Sequence, residues 1–204
     1  SEEKFERAME PQHVAISLDG EPTLYPRLTE LIKEYKKKNF STFVVSNGLL
    51  PERIEKLLEE PPTQLYISVD APNEELFNLI DRPIIKNAWK GLMKTLSLLP
   101  ELREKTRTVL RFTLIKGMNM EHAEQWAEII KLSNPMFVEV KAYMWVGMSR
   151  ERLEQANMPL HEEVKLFAEE VAKYADYKVI DEHEPSRVVL LMKEDFEGRV
   201  MKFD

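Results

Sequence analysis

Five short apolar segments of this sequence each run into polar residues whose types can bind a ligand. Glu21, between Gly20 and Pro22, is the most specific of them, because its carboxylate can receive an ammonium group while glycine permits close approach. The other candidates, at the next three segments, are Asn47, Ser68, Asp70 and Thr113. Turns are rich in the same residue types. Because such residues recur at the ends of successive segments, we favour a shared binding site along one edge of the sheet.

The fifth apolar segment ends in a cation and two aromatic residues at alternate positions, Lys141, Tyr143 and Trp145, and Arg150 and Arg152 follow closely. Alternate residues of a strand share one face. Enzymes that act on one RNA base hold it by stacking and steer the backbone with cations. The pattern therefore predicts an RNA-facing surface. The alternative is that both aromatic residues cap the core and that the arginines are ordinary solvated charges.

The sequence contains no cysteine and only four histidines, which are far apart. Without cysteine, this chain cannot form disulfides, use a thiol nucleophile or ligate zinc or an iron–sulfur cluster through thiolates. His13, His122, His161 and His183 form no HExxH or HxH pair, so we expect them to pack or to begin helices. No metal ligand is assigned, and no catalytic residue can be named.

Apolar segments and amphipathic helix patterns alternate along the chain. The segments rich in β-branched and aromatic residues predict strands at 13–18, 42–46, 64–69, 109–115, 137–143 and 188–192. Stripes at helical spacing predict helices that include 28–35, 54–58, 89–96, 123–130 and 164–171. Such alternation is typical of βαβ units, so we predict an α/β fold with a mainly parallel sheet.

The number of predicted strands limits how far this sheet can close. A closed eight-stranded β/α barrel usually needs about 250 residues, whereas this chain has 204. We therefore predict an open, partial β/α barrel that forms a single domain over residues 1–204. Residues 177–180 and 187–192 flank a polar stretch and predict either a hairpin or one broken edge strand. Residues 193–204 are expected to form a poorly ordered tail.

The composition is that of an ordinary globular domain, with 43% hydrophobic and 32% charged residues. The net charge of −7 argues against a general nucleic-acid binder but allows a local basic patch. No apolar run is long enough to cross a bilayer, and the charged first residues do not resemble a signal peptide. We therefore expect a cytoplasmic protein.

Six segments form a characteristic series along the chain: HVAISLDGEPTLYPRL, TFVVSNG, PTQLYISVDAP, RTVLRFTLIKGMNM, PMFVEVKAYMWVGMSRERL and EPSRVVLLM. Through this series the chain resembles the radical S-adenosylmethionine family over residues 5–193. The family's fold is a partial β/α barrel, in agreement with the prediction above. Its members hold a 4Fe-4S cluster on a CxxxCxxC loop and use it to cleave S-adenosylmethionine reductively, and the resulting 5′-deoxyadenosyl radical abstracts a hydrogen.

Within this family, the segments are most similar to those of the tRNA 4-demethylwyosine synthases. The resemblance implies an enzyme that joins 1-methylguanosine, beside the anticodon of tRNA(Phe), to a two-carbon piece of pyruvate. It implies S-adenosylmethionine and 4Fe-4S clusters as cofactors. It further implies tRNA(Phe), pyruvate and an electron donor as partners of a monomeric enzyme.

The resemblance also implies roles for particular residues. The motif that receives the methionine amino group matches Gly20, Glu21 and Pro22. Contacts to the methionine or the ribose fall at Asn47, Ser68 and Asp70. The strand that flanks adenine carries Thr113. Asp19 stands where that motif has its first glycine.

The absence of cysteine is the chain's main departure from the family. The cluster motif belongs before Ser1, so the resemblance implies part of a longer enzyme, inactive by itself. Two other interpretations stay open. One is a cluster-free β/α protein that binds a phosphorylated metabolite, which would need a phosphate loop at a helix start. The other is a non-catalytic interaction module.

Overall fold

The computed structural model describes residues 2–17 and 20–202, apart from the side chain of Arg7. Helices and strands alternate along these residues. The helices are α1 (Glu2–Met9), α2 (Leu28–Lys37), α3 (Pro51–Glu55), α4 (Glu74–Ile80), α5 (Ala88–Arg103), α6 (Ala123–Ser133) and α7 (His161–Ala175). The strands are β1 (His13–Ile16), β2 (Ser41–Ser46), β3 (Gln64–Val69), β4 (Arg107–Leu114), β5 (Phe137–Ala142), β6 (Lys178–His183) and β7 (Val188–Met192).

The chain divides into two compact units, the first of which comprises residues 1–68 and 85–109. Its strands β1, β2 and β3 lie side by side and run parallel. Parallel neighbours need a crossover connection, which α2 and α3 supply. Their core-facing positions include Ile32 and Ile54, which are fully buried. Helix α5 buries Leu92, Leu96 and Leu99 at the i, i+4, i+7 spacing of one helical face.

The second unit comprises residues 69–84 and 110–204. Its strands follow the order β4, β5, β7, β6, and β7 runs antiparallel to both of its neighbours. The pairing of β6 is irregular between Val179 and Asp181. Phe112 of β4 and Trp126 of α6 pack in the core with ring centroids 4.4 Å apart, and both are fully buried. Burial of such large aromatic surfaces is a major source of stability.

The structure confirms the predicted α/β alternation, and each predicted strand and helix is present. Strand β4 begins two residues before its prediction, and β5 ends at Ala142 instead of residue 143. At the predicted hairpin or broken strand, the structure shows a hairpin, with β6 and β7 joined by a 3₁₀ turn at Glu184–Ser186. The sequence analysis missed α1 and α4. Leu18, the predicted end of β1, lies outside the described residues.

Residues 193–202 form no helix or strand, but two of their side chains contact the body of the second unit. The ring of Phe196 lies 6.0 Å from that of Phe137, centroid to centroid. Arg199 pairs with Asp181 at 2.9 Å. The poor order predicted for this tail stays a prediction, as does a single domain over residues 1–204. Among the described helices, none is long and apolar enough to cross a membrane.

Candidate functional site

Glu21 caps a 3₁₀ helix, Pro22–Leu24, that follows β1. Pro22 occupies the first helical position, where its fixed φ and missing N–H are favourable. Glu21 Oε1 accepts hydrogen bonds from the backbone N–H of Thr23 at 3.1 Å and from its hydroxyl at 2.8 Å. Gly20 is exposed with φ +78°, and no atom lies within 4 Å of where a Cβ would stand. Asp19 lies outside the described residues.

The end of β2 donates to the same carboxylate. The hydroxyl of Ser46 donates to Glu21 Oε1 at 2.7 Å, and the backbone N–H of Asn47 donates to Oε2 at 2.8 Å. Oε1 therefore accepts three hydrogen bonds from the protein and Oε2 accepts one. A carboxylate offers about four acceptor positions, and the more lightly bonded Oε2 can still accept a cationic donor. Glu21 is both a turn residue and a candidate ligand.

Asn47 and Ser68 belong to the same unit as Glu21. The side chain of Asn47 is exposed, and its Oδ1 accepts from the backbone N–H of Leu49 at 3.1 Å. Gly48, with φ +71°, lets the chain turn there. Ser68 lies on the half-exposed face of β3. Hydrogen bonds thus join Glu21 to Asn47, whereas Ser68 is placed only by its strand.

Asn119 organises the loop that follows β4 in the second unit. Its side chain is fully buried, and its Nδ2 donates to the carbonyl oxygens of Asp70 and Thr113, both at 2.8 Å. Its Oδ1 accepts from the backbone N–H of Ile115 at 2.6 Å. One buried amide therefore fixes the backbone positions of two candidate residues, Asp70 and Thr113, relative to each other.

The carboxyl of Asp70 lies against two groups of different character. Thr113 and the carboxyl of Asp81 lie beside it, and its buried Oδ1 is left without a hydrogen-bond partner. Burial raises the pKa of Asp70, and hydrogen bonds from Thr113 oppose that rise. Burial, and then the charge of Asp70, raise the pKa of Asp81 to about 7. Two adjacent carboxyls in a sheltered site do not readily both ionise.

The predicted RNA-facing row is not a continuous face in the structure. Strand β5 ends before Tyr143, which is buried, and its hydroxyl contacts that of Ser149 at 2.8 Å. Tyr143 is therefore buried, as the core-capping alternative expects, and its assignment to base stacking stays a prediction. Lys141 lies on β5 and lines an open groove of about 460 Å³ together with residues of β6 and β7.

Trp145 and Arg150 form a pair at the surface. The Arg150 guanidinium carbon lies 4.9 Å from the Trp145 ring centroid, and its Nε donates to the Trp145 carbonyl at 3.1 Å. Trp145 Nε1 donates to the carbonyl of Leu153 at 2.8 Å. Arg152 instead turns to α4 and donates to the carbonyl of Ile80 at 2.7 Å. Its Nη2 is thus engaged by backbone carbonyls, while the residue as a whole is exposed.

Sequence reasoning missed Ser46, Asp81 and Asn119 as members of these clusters. Ser46 and Asn119 lie at or beyond strand ends, where polar residues were expected to bind a ligand. Residue type alone gave no reason to choose them over the polar residues beside them. Asp81 follows α4, a helix that the sequence analysis did not predict. Its approach to Asp70 is a tertiary contact without a signal in local sequence.

The chain matches two family models over consecutive segments. Residues 2–130 match the radical SAM superfamily, and residues 132–193 match a model described as wyosine base formation. The first match covers more than half of the chain, so the protein belongs to the radical SAM superfamily. Members of this superfamily use S-adenosylmethionine and an iron–sulfur cluster.

Particular relatives narrow the comparison. The chain is 50% identical over 195 residues to the S-adenosyl-L-methionine-dependent tRNA 4-demethylwyosine synthase of Pyrococcus abyssi, a match that covers 94% of this chain and 56% of the relative. It is 47% identical to the enzyme of the same name from Pyrococcus horikoshii, over 98% of this chain and 60% of that one. The chain thus spans less than two thirds of the length of these relatives.

Solved structures agree with the fold. A structure described as TYW1 with a lysine–pyruvate adduct bound is 44% identical, with a TM-score of 0.85 over 95% of this chain and 60% of that one. A domain of pyruvate-formate lyase-activating enzyme from Bacteroides vulgatus is 16% identical, with a TM-score of 0.58 over 79% of this chain and 93% of that domain, a likeness of fold alone. The predicted fold class of a radical SAM partial β/α barrel is confirmed.

The residues of this chain fit S-adenosylmethionine but do not fit an iron–sulfur cluster. Exposed Gly20 and the lightly bonded Oε2 of Glu21 fit the ammonium end of S-adenosylmethionine. An iron–sulfur cluster does not fit, because the chain contains no cysteine. Nor do the described residues include a group of three or more His, Asp or Glu side chains that could hold a metal ion.

Proposed function

We propose that this chain is part of a tRNA-modifying radical SAM enzyme. The enzyme converts 1-methylguanosine, beside the anticodon of tRNA(Phe), to 4-demethylwyosine, using pyruvate and S-adenosylmethionine. The observation that carries the proposal is the wyosine-base-formation match at residues 132–193, directly after the radical SAM match. Identities of 50% and 47% to two enzymes named for this reaction support it.

In this proposal Glu21 receives the amino group of S-adenosylmethionine through Oε2, beside Gly20 and Pro22. The exit of β1 and the end of β2 hold the carboxylate through hydrogen bonds from Thr23, Ser46 and Asn47, which orient it before a ligand arrives. When bound and cleaved, S-adenosylmethionine supplies the hydrogen-abstracting species of this family. Asn47, Ser68, Asp70 and Thr113 are further candidate contacts.

The RNA would meet the second unit at Trp145, Arg150 and Lys141. Trp145 is half-buried and Arg150 is exposed, so an unpaired base can extend their stack while the guanidinium keeps donors free for phosphate. Lys141 adds a cation in the groove beside β6 and β7, which Glu139, Asp181 and Glu182 also line. Arg152 is a further candidate: it is exposed, and its Nη2 donates to carbonyls of α4.

The remaining parts of the proposal concern groups outside this chain. The cluster ligands belong to another part of the parent protein, and an electron donor reduces the cluster. Pyruvate is a substrate, in keeping with the pyruvate adduct named for a neighbouring structure, but none of the described residues is assigned to it. We further propose a monomeric enzyme of the cytoplasm.

The test uses the full-length protein that contains this chain. With tRNA(Phe) bearing 1-methylguanosine, pyruvate, S-adenosylmethionine and a reductant, mass spectrometry of the digested tRNA should show 1-methylguanosine replaced by its tricyclic product, 4-demethylwyosine. Glu21→Gln should weaken S-adenosylmethionine binding by roughly ten-fold or more, because an ammonium–carboxylate bond is replaced by a neutral one. The exposed Glu55→Gln is the matched control.

Two outcomes would refute the proposal in different ways. If Glu21→Gln and wild type bind S-adenosylmethionine equally, Glu21 is only a turn residue. If the full-length protein leaves 1-methylguanosine unchanged but cleaves S-adenosylmethionine, the superfamily assignment holds and the substrate assignment fails.

A further inference from the structure

Two aspartates of the second unit form a carboxyl pair that the proposed function does not use as a pair. Asp70 directly follows β3 and Asp81 directly follows α4, and their side chains are within hydrogen-bonding reach. Asp70 Oδ1 is buried and has no hydrogen-bond partner. Two ionised carboxyls can only accept hydrogen bonds. A proton on one of them would supply the donor that this contact lacks.

The charged groups around the pair come from three segments. Arg111 of β4 lies on the Asp70 side and is itself 3.5 Å from Glu139 of β5. Arg152 lies beside Asp81 and donates to the carbonyls of Ile80 at 2.7 Å and Leu79 at 3.3 Å. The adjacent Arg82 donates to the Leu79 carbonyl at 3.4 Å. These cations lower the energy of ionised carboxyls but leave Asp70 Oδ1 without a donor.

We propose that Asp70 and Asp81 share one proton at neutral pH, and that its loss tightens the attachment of Arg152 to the end of α4. Arg152 directly follows the 3₁₀ segment Gly147–Glu151, so the pair makes the anchoring of that segment responsive to pH. The proposal rests on this chain's own residues and holds whether or not the proposed function does.

The physical argument has two parts. With the proton present, the carboxyl–carboxylate hydrogen bond satisfies a buried oxygen, and Arg152 faces a group with at most part of a charge. With the proton lost, a full carboxylate at Asp81 attracts the guanidinium that already binds the last carbonyls of α4. The raised pKa of Asp81, about 7, places this change within the physiological range.

Carbon-detected NMR of the aspartate carboxyls in this 204-residue chain tests the shared proton. One of the two carboxyls should titrate with a midpoint near neutral pH, well above the ordinary range of an aspartate. In Asp70→Asn, the midpoint of Asp81 should fall by more than one pH unit, because the neighbouring charge is gone. If both aspartates titrate below about pH 5 in the wild type, no proton is shared and the proposal fails.

Thermal unfolding provides a second measurement with a definite sign. The folded state holds a proton that the unfolded chain releases at a lower pH, so this stabilisation is present in acid and is lost as pH rises through about 7. Asp81→Asn, which mimics the protonated group, should remove this loss. Asp176→Asn is the matched control, since Asn also tolerates the left-handed conformation at that position.

The attachment of Arg152 is tested by amide hydrogen exchange of residues 147–152. Relative to Asp81→Asn at the same pH, wild type should exchange more slowly at about pH 8 and equally at about pH 6. Arg152→Gln should raise the midpoint of Asp81 and abolish the exchange difference. Equal exchange of wild type and Asp81→Asn at both pH values would overturn the link to Arg152, even where the proton is shared.

Discussion

At the scale of single residues, the carboxylate of Glu21 holds two chain segments together before it meets any ligand. Glu21→Gln replaces Oε2, or Oε1, by an amide group that cannot accept the hydrogen bonds from Asn47 or Ser46. We expect a loss of about 1–2 kcal/mol in the free energy of unfolding. Urea denaturation of the variant measures it, with the exposed Glu55→Gln as control. Equal stability of the two variants would show that these bonds contribute nothing to the fold.

Asn119 is a residue whose importance is visible only in three dimensions. Asn119→Ala would leave two carbonyls and one backbone N–H without their partner in a buried loop. We expect a loss of about 2–4 kcal/mol, because each unsatisfied buried group is costly. Asn78→Ala, at an exposed position on α4, should change stability by less than about 0.5 kcal/mol. A small effect of Asn119→Ala in denaturant titrations would mean that water replaces the amide.

At the scale of elements, the sequence predicts the strands and helices that have a clear apolar pattern. It misses features that depend on tertiary contacts. Apolar segments place β3 and β7 at their observed ends, since a run of β-branched and aromatic residues defines a strand locally. The row from Lys141 to Trp145 fails as a face because β5 ends at Ala142, after which alternation no longer governs side-chain direction. Helix α4 has only seven residues, too few for its spacing to stand out.

In the candidate site, too, the sequence predicts some residues and misses contacts that depend on tertiary packing. Glu21 and Asn47 are selected by residue type at strand ends, and the structure joins them directly. The contact of Asp70 with Asp81 and the attachment of Arg152 to α4 arise from packing between segments far apart in sequence. No local pattern encodes such contacts.

Gly48 directly follows β2, and helix α5 packs closely against it. A Cβ at this position would stand 3.0 Å from Ile67 Cγ2 and 3.1 Å from Leu92 Cδ1, at φ +71°. Gly48→Ala should therefore cost about 2–4 kcal/mol, from left-handed strain together with overpacking. Gly117→Ala is a matched control, since its φ is +78° but no atom lies within 4 Å.

The difference between the two glycine variants isolates the packing contribution. Both variants place an alanine at a positive φ, a strain of about 1–2 kcal/mol. Only in Gly48→Ala does the new Cβ also meet neighbouring side chains. Thermal or urea denaturation of both proteins gives the comparison. Equal losses would show that the side chains of Ile67 and Leu92 move aside at no cost.

At the scale of the whole molecule, the consecutive family matches and the absence of cysteine have to be reconciled. The radical SAM match extends over residues 2–130, yet this chain has no cysteine thiolate that could ligate a cluster. The chain spans 56% and 60% of two archaeal relatives. In our proposal, this chain therefore binds S-adenosylmethionine through Glu21, and another part of the parent protein ligates the cluster.

This separation predicts the behaviour of the 204-residue chain by itself. After anaerobic reconstitution with iron and sulfide, followed by desalting, it should stay colourless and hold no stoichiometric iron, because thiolates are the ligands that retain such clusters. The full-length protein, treated in parallel, should gain a visible absorption band with matching iron and sulfide content. Electron paramagnetic resonance after reduction distinguishes a bound cluster from adsorbed iron. A stable cluster signal from the cysteine-free chain would mean that oxygen or nitrogen ligands suffice, and the assignment of the cluster to another part of the protein would then be wrong.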